Sequence, residues 1–146
     1  MQLETLIQLT FPILTVIFDS WYCSCEFIRF LRAQGIDFVS RLKKNRNIKL
    51  FGEWVPTETL FEHLPMSALR AVVVKVARRS RRTLHSRIFW VAEVTVPVRG
   101  LGEMRLVLSK KTQEDITGVI LITNRLDWSA EEISHLYSLR WRIETF

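Results

Sequence analysis

The run Ile13–Phe18, "ILTVIF", constrains the fold more than any other stretch of the chain. It is rich in β-branched residues and apolar at nearly every position, so a strand made from it must be buried on both faces, inside a sheet. It runs directly into Asp19. The segment "CEFIRFLRAQG" then has helical spacing, with Phe27, Phe30 and Leu31 on one face and Gly35 as the stop. "IDFVSRL", Ile36 to Leu42, follows as a second strand and leads into the polar, basic turn "KKNRN". Strand, helix and strand in so short a span predict a βαβ unit and hence a parallel pair. Upstream, residues 1–9 read as the tail of a helix that ends before Pro12, because the residue preceding a proline avoids the helical region.

The rhythm then changes. Between Ile48 and Lys111 short β-rich runs alternate with turn residues, the clearest being "AVVVKVARR", "RIFWVAEVTVPV" and "RGLGEMRLVLSKK". "TGVILITN" returns to a buried strand, and Ser129 with Glu132 three residues later is a capping box that opens a final helix. The expected organisation is an α/β core in two parts, residues 1–47 and 113–146, interrupted by a β-rich insertion over 48–112. With 146 residues, 48% of them hydrophobic and 25% charged, the chain has the composition of a folded domain with a real core.

Several function classes drop out. The longest apolar run, Leu6 to Phe18, is shorter than the roughly 20 residues a bilayer requires. Glu4 stands where a signal peptide would carry positive charge, so a cytoplasmic protein without a membrane partner is expected. Cys23 and Cys25 are too close for an ordinary structural disulfide and too few for a metal site; they read as small residues at a helix start.

Three constellations could carry chemistry. Asp19 ends the strongest strand, and open α/β sheets bind ligands at the carboxyl ends of their strands. A carboxylate there suits a divalent cation; the plainer reading is a turn or a helix cap. In the terminal helix Ile133, Leu136, Tyr137, Arg140 and Glu144 fall on one stripe that begins apolar and ends charged. The plainer reading there is a surface pair between Arg140 and Glu144. The third is charge. The formal charge is +6, and from His63 to Ala92 there is no carboxylate, while Arg70, Lys75, Arg78, Arg79, Arg81, Arg82 and Arg87 all lie within it. Interleaved with Phe89 and Trp90, that block fits phosphate contacts from a β-hairpin, or else a solvated hairpin whose aromatics form its own core.

"VIFDSWY", "GIDFVSRLKKNRNI" and "ITNRLDWSAEEISHLYSLRWRIETF" together resemble the DDE transposases of bacterial insertion sequences. More narrowly they resemble the subgroup whose signature is Tyr, two residues, Arg, three residues, Glu, six residues, Lys. Tyr137, Arg140 and Glu144 match its first three members, and the likeness extends over nearly the whole chain. The resemblance implies a partial ribonuclease-H-like core, a βαβ unit plus the C-terminal helix, with a β-rich insertion before the glutamate helix. It implies Asp19 and Glu144 as catalytic, metal-holding acids for Mg²⁺, with Mn²⁺ able to substitute, in hydrolysis and strand transfer of DNA phosphodiesters. Tyr137 and Arg140 would handle the DNA strand, and Arg78, Arg79, Arg81 and Arg82 would grip duplex DNA, transposon ends and target. A homodimer and a nucleoid-associated location are implied for the intact protein. The family's first Asp lies upstream of the second acid and its closing Lys seven positions after Glu144, so both are expected outside these residues. Asp37, Asp115 and Asp127 do not stand where the first acid would. The alternative function is a non-catalytic DNA-binding module derived from a transposase.

Overall fold

The computed structural model describes residues 6–10, 13–19, 24–77 and 84–144. Nine strands form one sheet: β1 (Leu6–Thr10), β2 (Ile13–Phe18), β3 (Asp37–Leu42), β4 (Asn47–Leu50), β5 (Glu53–Pro56), β6 (Arg70–Ala77), β7 (Leu84–Val98), β8 (Gly102–Lys110) and β9 (Val119–Thr123). The helices are α1 (Cys25–Ala33), the single turn α2 (Thr59–Glu62) and α3 (Ala130–Glu144), with a 3₁₀ turn at Met66–Ala68. Fold class is therefore mixed α/β, mostly sheet.

The βαβ unit forms as its pattern requires. β2 and β3 are parallel, with Phe18 beside Ser40, and α1 makes the crossover. Val16, Ile17 and Phe18 are buried, which a continuous apolar run predicts for a strand covered on both faces. From β3 the sheet continues antiparallel through β9, β8 and β7 to β4 and β5. The β-rich stretch thus joins the same sheet as the βαβ unit, because β8 pairs directly with β9 from Arg105–Thr123 to Ser109–Val119. β7 has fifteen residues. Its first half pairs with β6, its second with β8, and its end touches β4 at Val98–Ile48.

Two cores lie on opposite faces. One gathers Phe18, Ile28, Phe38, Met104 and Leu106 beneath α1 and α2; the other gathers Ile17, Val39, Val74, Val91 and Val107 beneath α3. Strand alternation sends neighbouring residues to opposite cores, as with Ile17 and Phe18. Among the described residues no helix is long and apolar enough to cross a membrane.

Two expectations are corrected. Leu6–Thr10 is a strand pairing antiparallel with β2 from Leu6–Ile17 to Thr10–Ile13, not the end of a helix. Pairing satisfies the otherwise open backbone edge of β2, and local propensity yields to it. In α1 the buried residues are Ile28 and Leu31, with Phe27 half-buried, whereas Phe30 is 57% exposed. The buried stripe is set by where the crossover lays the helix, one turn-step from the face the aromatics suggested. The helix stop at Gly35 holds: its amide donates to the Arg32 carbonyl at 3.0 Å.

Candidate functional site

Asp19 follows the last residue of β2 at the carboxyl ends of the parallel pair, and it is half-buried. The fully buried Ser40 on β3 holds its backbone: the hydroxyl lies 3.3 Å from the Asp19 carbonyl and 2.9 Å from that of Arg41. Asp19 does not cap α1. That role belongs to Ser24, whose hydroxyl accepts the Phe27 amide at 3.1 Å. The helix-cap reading of Asp19 is thereby removed, and Cys25 opens the helix as a small residue should.

β8 ends and β9 begins at this same edge of the sheet, so the loop joining them comes up beside Asp19. A cavity of about 390 Å³ lies there, under α3. Asp19, Arg41, Lys111, Asp115, Ser134 and Tyr137 supply its polar lining, and Val74, Phe89, Val119 and Leu121 give it an apolar floor. Gly118 lets the loop close: a Cβ there would stand 2.0 Å from the Ser109 carbonyl oxygen. Only glycine fits so near a neighbouring backbone.

α3 reaches the cavity because its start is fixed at the opposite edge. Ser129 caps the helix by accepting the Glu132 amide at 3.1 Å, and its hydroxyl donates to the Glu132 carboxylate at 3.2 Å. The carboxylate thus meets the serine hydroxyl and not, as in a full capping box, its backbone amide. Ala130, Ile133 and Tyr137 then lie buried against Ile17, Val39 and Leu121, while Leu136 is partly buried. Burying a side chain such as Ile133 contributes about 1.5–3 kcal/mol. Tyr137 and Ser134 line the cavity that Asp19 lines, so strand end and helix meet at one site. Glu144, the last residue of α3, stands two turns beyond Tyr137 on the same helical face, roughly 10 Å further along the axis. The side chains of Arg140 and Glu144 lie outside the described residues, as do Arg78, Arg79, Arg81 and Arg82.

The electrostatics are mixed. Asp19 and Asp115 face a rim that also carries Arg41 and Lys111, and Lys44 donates to Thr117 at 2.9 Å beside them. Asp115 accepts the Thr112 amide at 3.2 Å, which ties it to its own loop. Among the described residues no three His, Cys, Asp or Glu side chains come together as a metal-holding group. The hydroxyl of Ser134 is buried with no hydrogen-bond partner. Sequence reading missed that residue, since a serine on an otherwise packing helix gives no signal until the cavity beneath it is known.

The phrase "TNRLDW" proves to be a clamp that aims α3. Asn124 accepts the Phe38 amide at 3.1 Å and donates to Asp37 at 3.1 Å. Arg125 donates to Asp37 at 2.9 Å and forks onto both carboxylate oxygens of Asp127, while its guanidinium lies 4.9 Å above the Trp128 ring. Hydrogen bonds to Asp127 and Asp37 raise the Arg125 pKa, and the same guanidinium lowers that of Asp127 to about 2. A second tie fixes β6 to the helix: Arg70 bonds Glu131 at 2.7 Å and also Glu93, and both carboxylates raise its pKa.

No curated protein gives a significant match to the chain. A family model described as the transposase DDE domain matches residues 2–146, which is nearly every residue and includes the Asp19 strand, the antiparallel strands between β3 and β9 in sequence, and α3. The chain belongs to the transposase DDE-domain family.

Proposed function

We propose that residues 1–146 form part of the catalytic core of a transposase that hydrolyses DNA phosphodiesters and transfers the freed strand. One observation carries this reading: Asp19, at the carboxyl end of the parallel β2–β3 pair, shares a cavity with Tyr137 of the helix that ends in Glu144. Its strands and helix would be those of a ribonuclease-H-like core with inserted strands, and its signature would place it among bacterial insertion-sequence enzymes.

The family generally uses divalent metals. The donor chemistry at the cavity fits in part. Asp19 offers a hard carboxylate on a rigid strand end, Glu144 would be the second ligand, and a third acid would come from outside these residues. Mg²⁺ held there would polarise the scissile phosphodiester and lower the pKa of the attacking hydroxyl or water. The chain's own residues do the positioning. Ser40 and the β2–β3 pairing fix the Asp19 backbone, the clamp at Arg125 aims α3, and Tyr137 forms the wall beside the acid. Arg140 would meet phosphate oxygens with its planar fork. Arg78, Arg79, Arg81 and Arg82 would bind transposon-end DNA, with the intact protein acting as a homodimer in the bacterial cytoplasm.

The test is cleavage of transposon-end DNA with Mn²⁺ or Mg²⁺ by the full reading frame, comparing wild type with Asp19→Ala and Glu144→Ala. Each variant should fold and bind DNA but lose cleavage by a factor of a thousand or more, the order of a loss of about 4 kcal/mol in the barrier. Undiminished cleavage in either would remove that residue from the metal site. DNA binding without cleavage in the wild type would favour the non-catalytic DNA-binding module.

A further inference from the structure

The β6–β7 ribbon has two faces, and α3 covers one of them: Val72, Val74 and Val91 belong to the core beneath that helix. The residues between them point the other way. Val73 and Ile88 are direct cross-strand partners on that second face, and they are 52% and 55% exposed. Two β-branched side chains set opposite one another suit a packed sheet surface, yet half of each lies open to solvent.

The same face continues onto β8. Trp90, two residues along from Ile88, pairs with Lys110, and Lys110 shares its parity with Met104, Leu106 and Leu108 of the core beneath α1 and α2. Lys110 is only 5% exposed, with its ammonium 6.0 Å from the Phe61 ring. Lysine is seldom buried so far without an anion beside it. Here no carboxylate of the described residues pairs with it. Its ammonium is not sealed, because Ser134 carries the single sealed and unpaired side-chain polar atom among the described residues. Local charge does not supply the missing anion either. No carboxylate occurs from His63 to Ala92, Glu93 opposes Val107 on the α3 face, and Glu62 on α2 is exposed.

We propose that this face of β6, β7 and β8 is a docking surface for an acidic amphipathic protein segment: its apolar side chains cover Val73 and Ile88, and one carboxylate pairs with Lys110. Diagonal neighbours on adjacent strands, such as Ile88 and Lys110, stand about 7–8 Å apart, within reach of side chains one turn apart on a helix. DNA fits less well, because an aliphatic pair and one recessed cation offer its phosphates few contacts. A second copy of the same face also fits less well, since two carboxylate-free ribbons would repel. The surface is separate from the Asp19 cavity, which lies under α3 on the opposite face.

The test selects a phage-displayed library of short random peptides against the full-length protein. Enriched peptides should combine aspartate or glutamate with leucine, isoleucine or phenylalanine. In fluorescence anisotropy, Lys110→Met should weaken the best of them about 30-fold, and Val73→Thr with Ile88→Thr about tenfold. Methionine keeps lysine's unbranched stem and threonine keeps β-branching, so thermal midpoints should hold. Neutralising Arg78, Arg79, Arg81 and Arg82 should weaken the peptide less than Lys110→Met does. Enriched peptides without acids, no enrichment at all, or affinity unmoved by Lys110→Met or by the threonine pair would overturn the proposal. A DNA duplex that displaces the peptide and itself binds the threonine pair more weakly would give the face to DNA. Loss of self-association in the threonine pair, with peptide binding intact, would give it to a second copy and equally overturn the idea.

Discussion

Ser134 is the residue whose environment least matches its chemistry. Its hydroxyl is buried without a partner on a helix that otherwise packs tightly. Burying an unpaired hydroxyl is unfavourable, and alanine is the better helix former, so Ser134→Ala should raise stability by about 1 kcal/mol. The urea midpoint should move up with an unchanged slope. A lower midpoint would mean that the hydroxyl is satisfied by water in the cavity. At this scale legibility was uneven. Asp19 could be found because it ends an unmistakable strand. Ser40 and Ser134 act through geometry created by other elements, and no local pattern announces that.

The clamp ahead of α3 belongs to the element scale. Arg125 holds the Asp127 carboxyl at a pKa of about 2, against an ordinary value of 3.8. A carboxyl depressed in the folded state adds stability that is fully present above its unfolded pKa and is lost as pH falls through the folded one. The difference in melting temperature between wild type and Asp127→Asn should therefore be present at neutral pH and shrink as pH drops from about 4 to about 2. A difference that stays constant across that window would show that Asp127 does not couple to folding. Because Asp127 is exposed, the effect is expected to be small. Elements with strong local patterns were readable: the βαβ unit, β7, β8 and β9, and the capped helix all form as expected. β1 was not, since only β2's open edge makes Leu6–Thr10 a strand. The β4–β5 hairpin was missed too, because Phe-Gly is not a typical turn pair.

For the whole molecule, the positive excess matters more than any single interaction. The carboxylate-free stretch from His63 to Ala92 spans β6 and the first half of β7, the ribbon that α3 packs upon. If this stretch grips duplex DNA, log affinity should fall linearly with log salt. Neutralising Arg78, Arg79, Arg81 and Arg82 should flatten that slope by about 0.9 for each phosphate left without its cation. An unchanged slope, measured by anisotropy across a salt series, would place the grip elsewhere. The mixed α/β class and the β-rich middle of the chain were legible in the sequence. Their fusion into one sheet was not, because strand order depends on pairings far apart in the chain.

β7 serves two neighbourhoods at once. Its early residues sit with β6 under α3, and its later ones feed both cores through β8. Side chains alternate along it, so parity is conserved from one end to the other. Removing or adding one residue anywhere between Leu84 and Val98 would exchange inward for outward over everything downstream, sending Val96 and Val98 to the wrong face. Relatives of this chain can therefore be expected to vary in length at its turns and to keep this strand's count fixed, or to change it in twos.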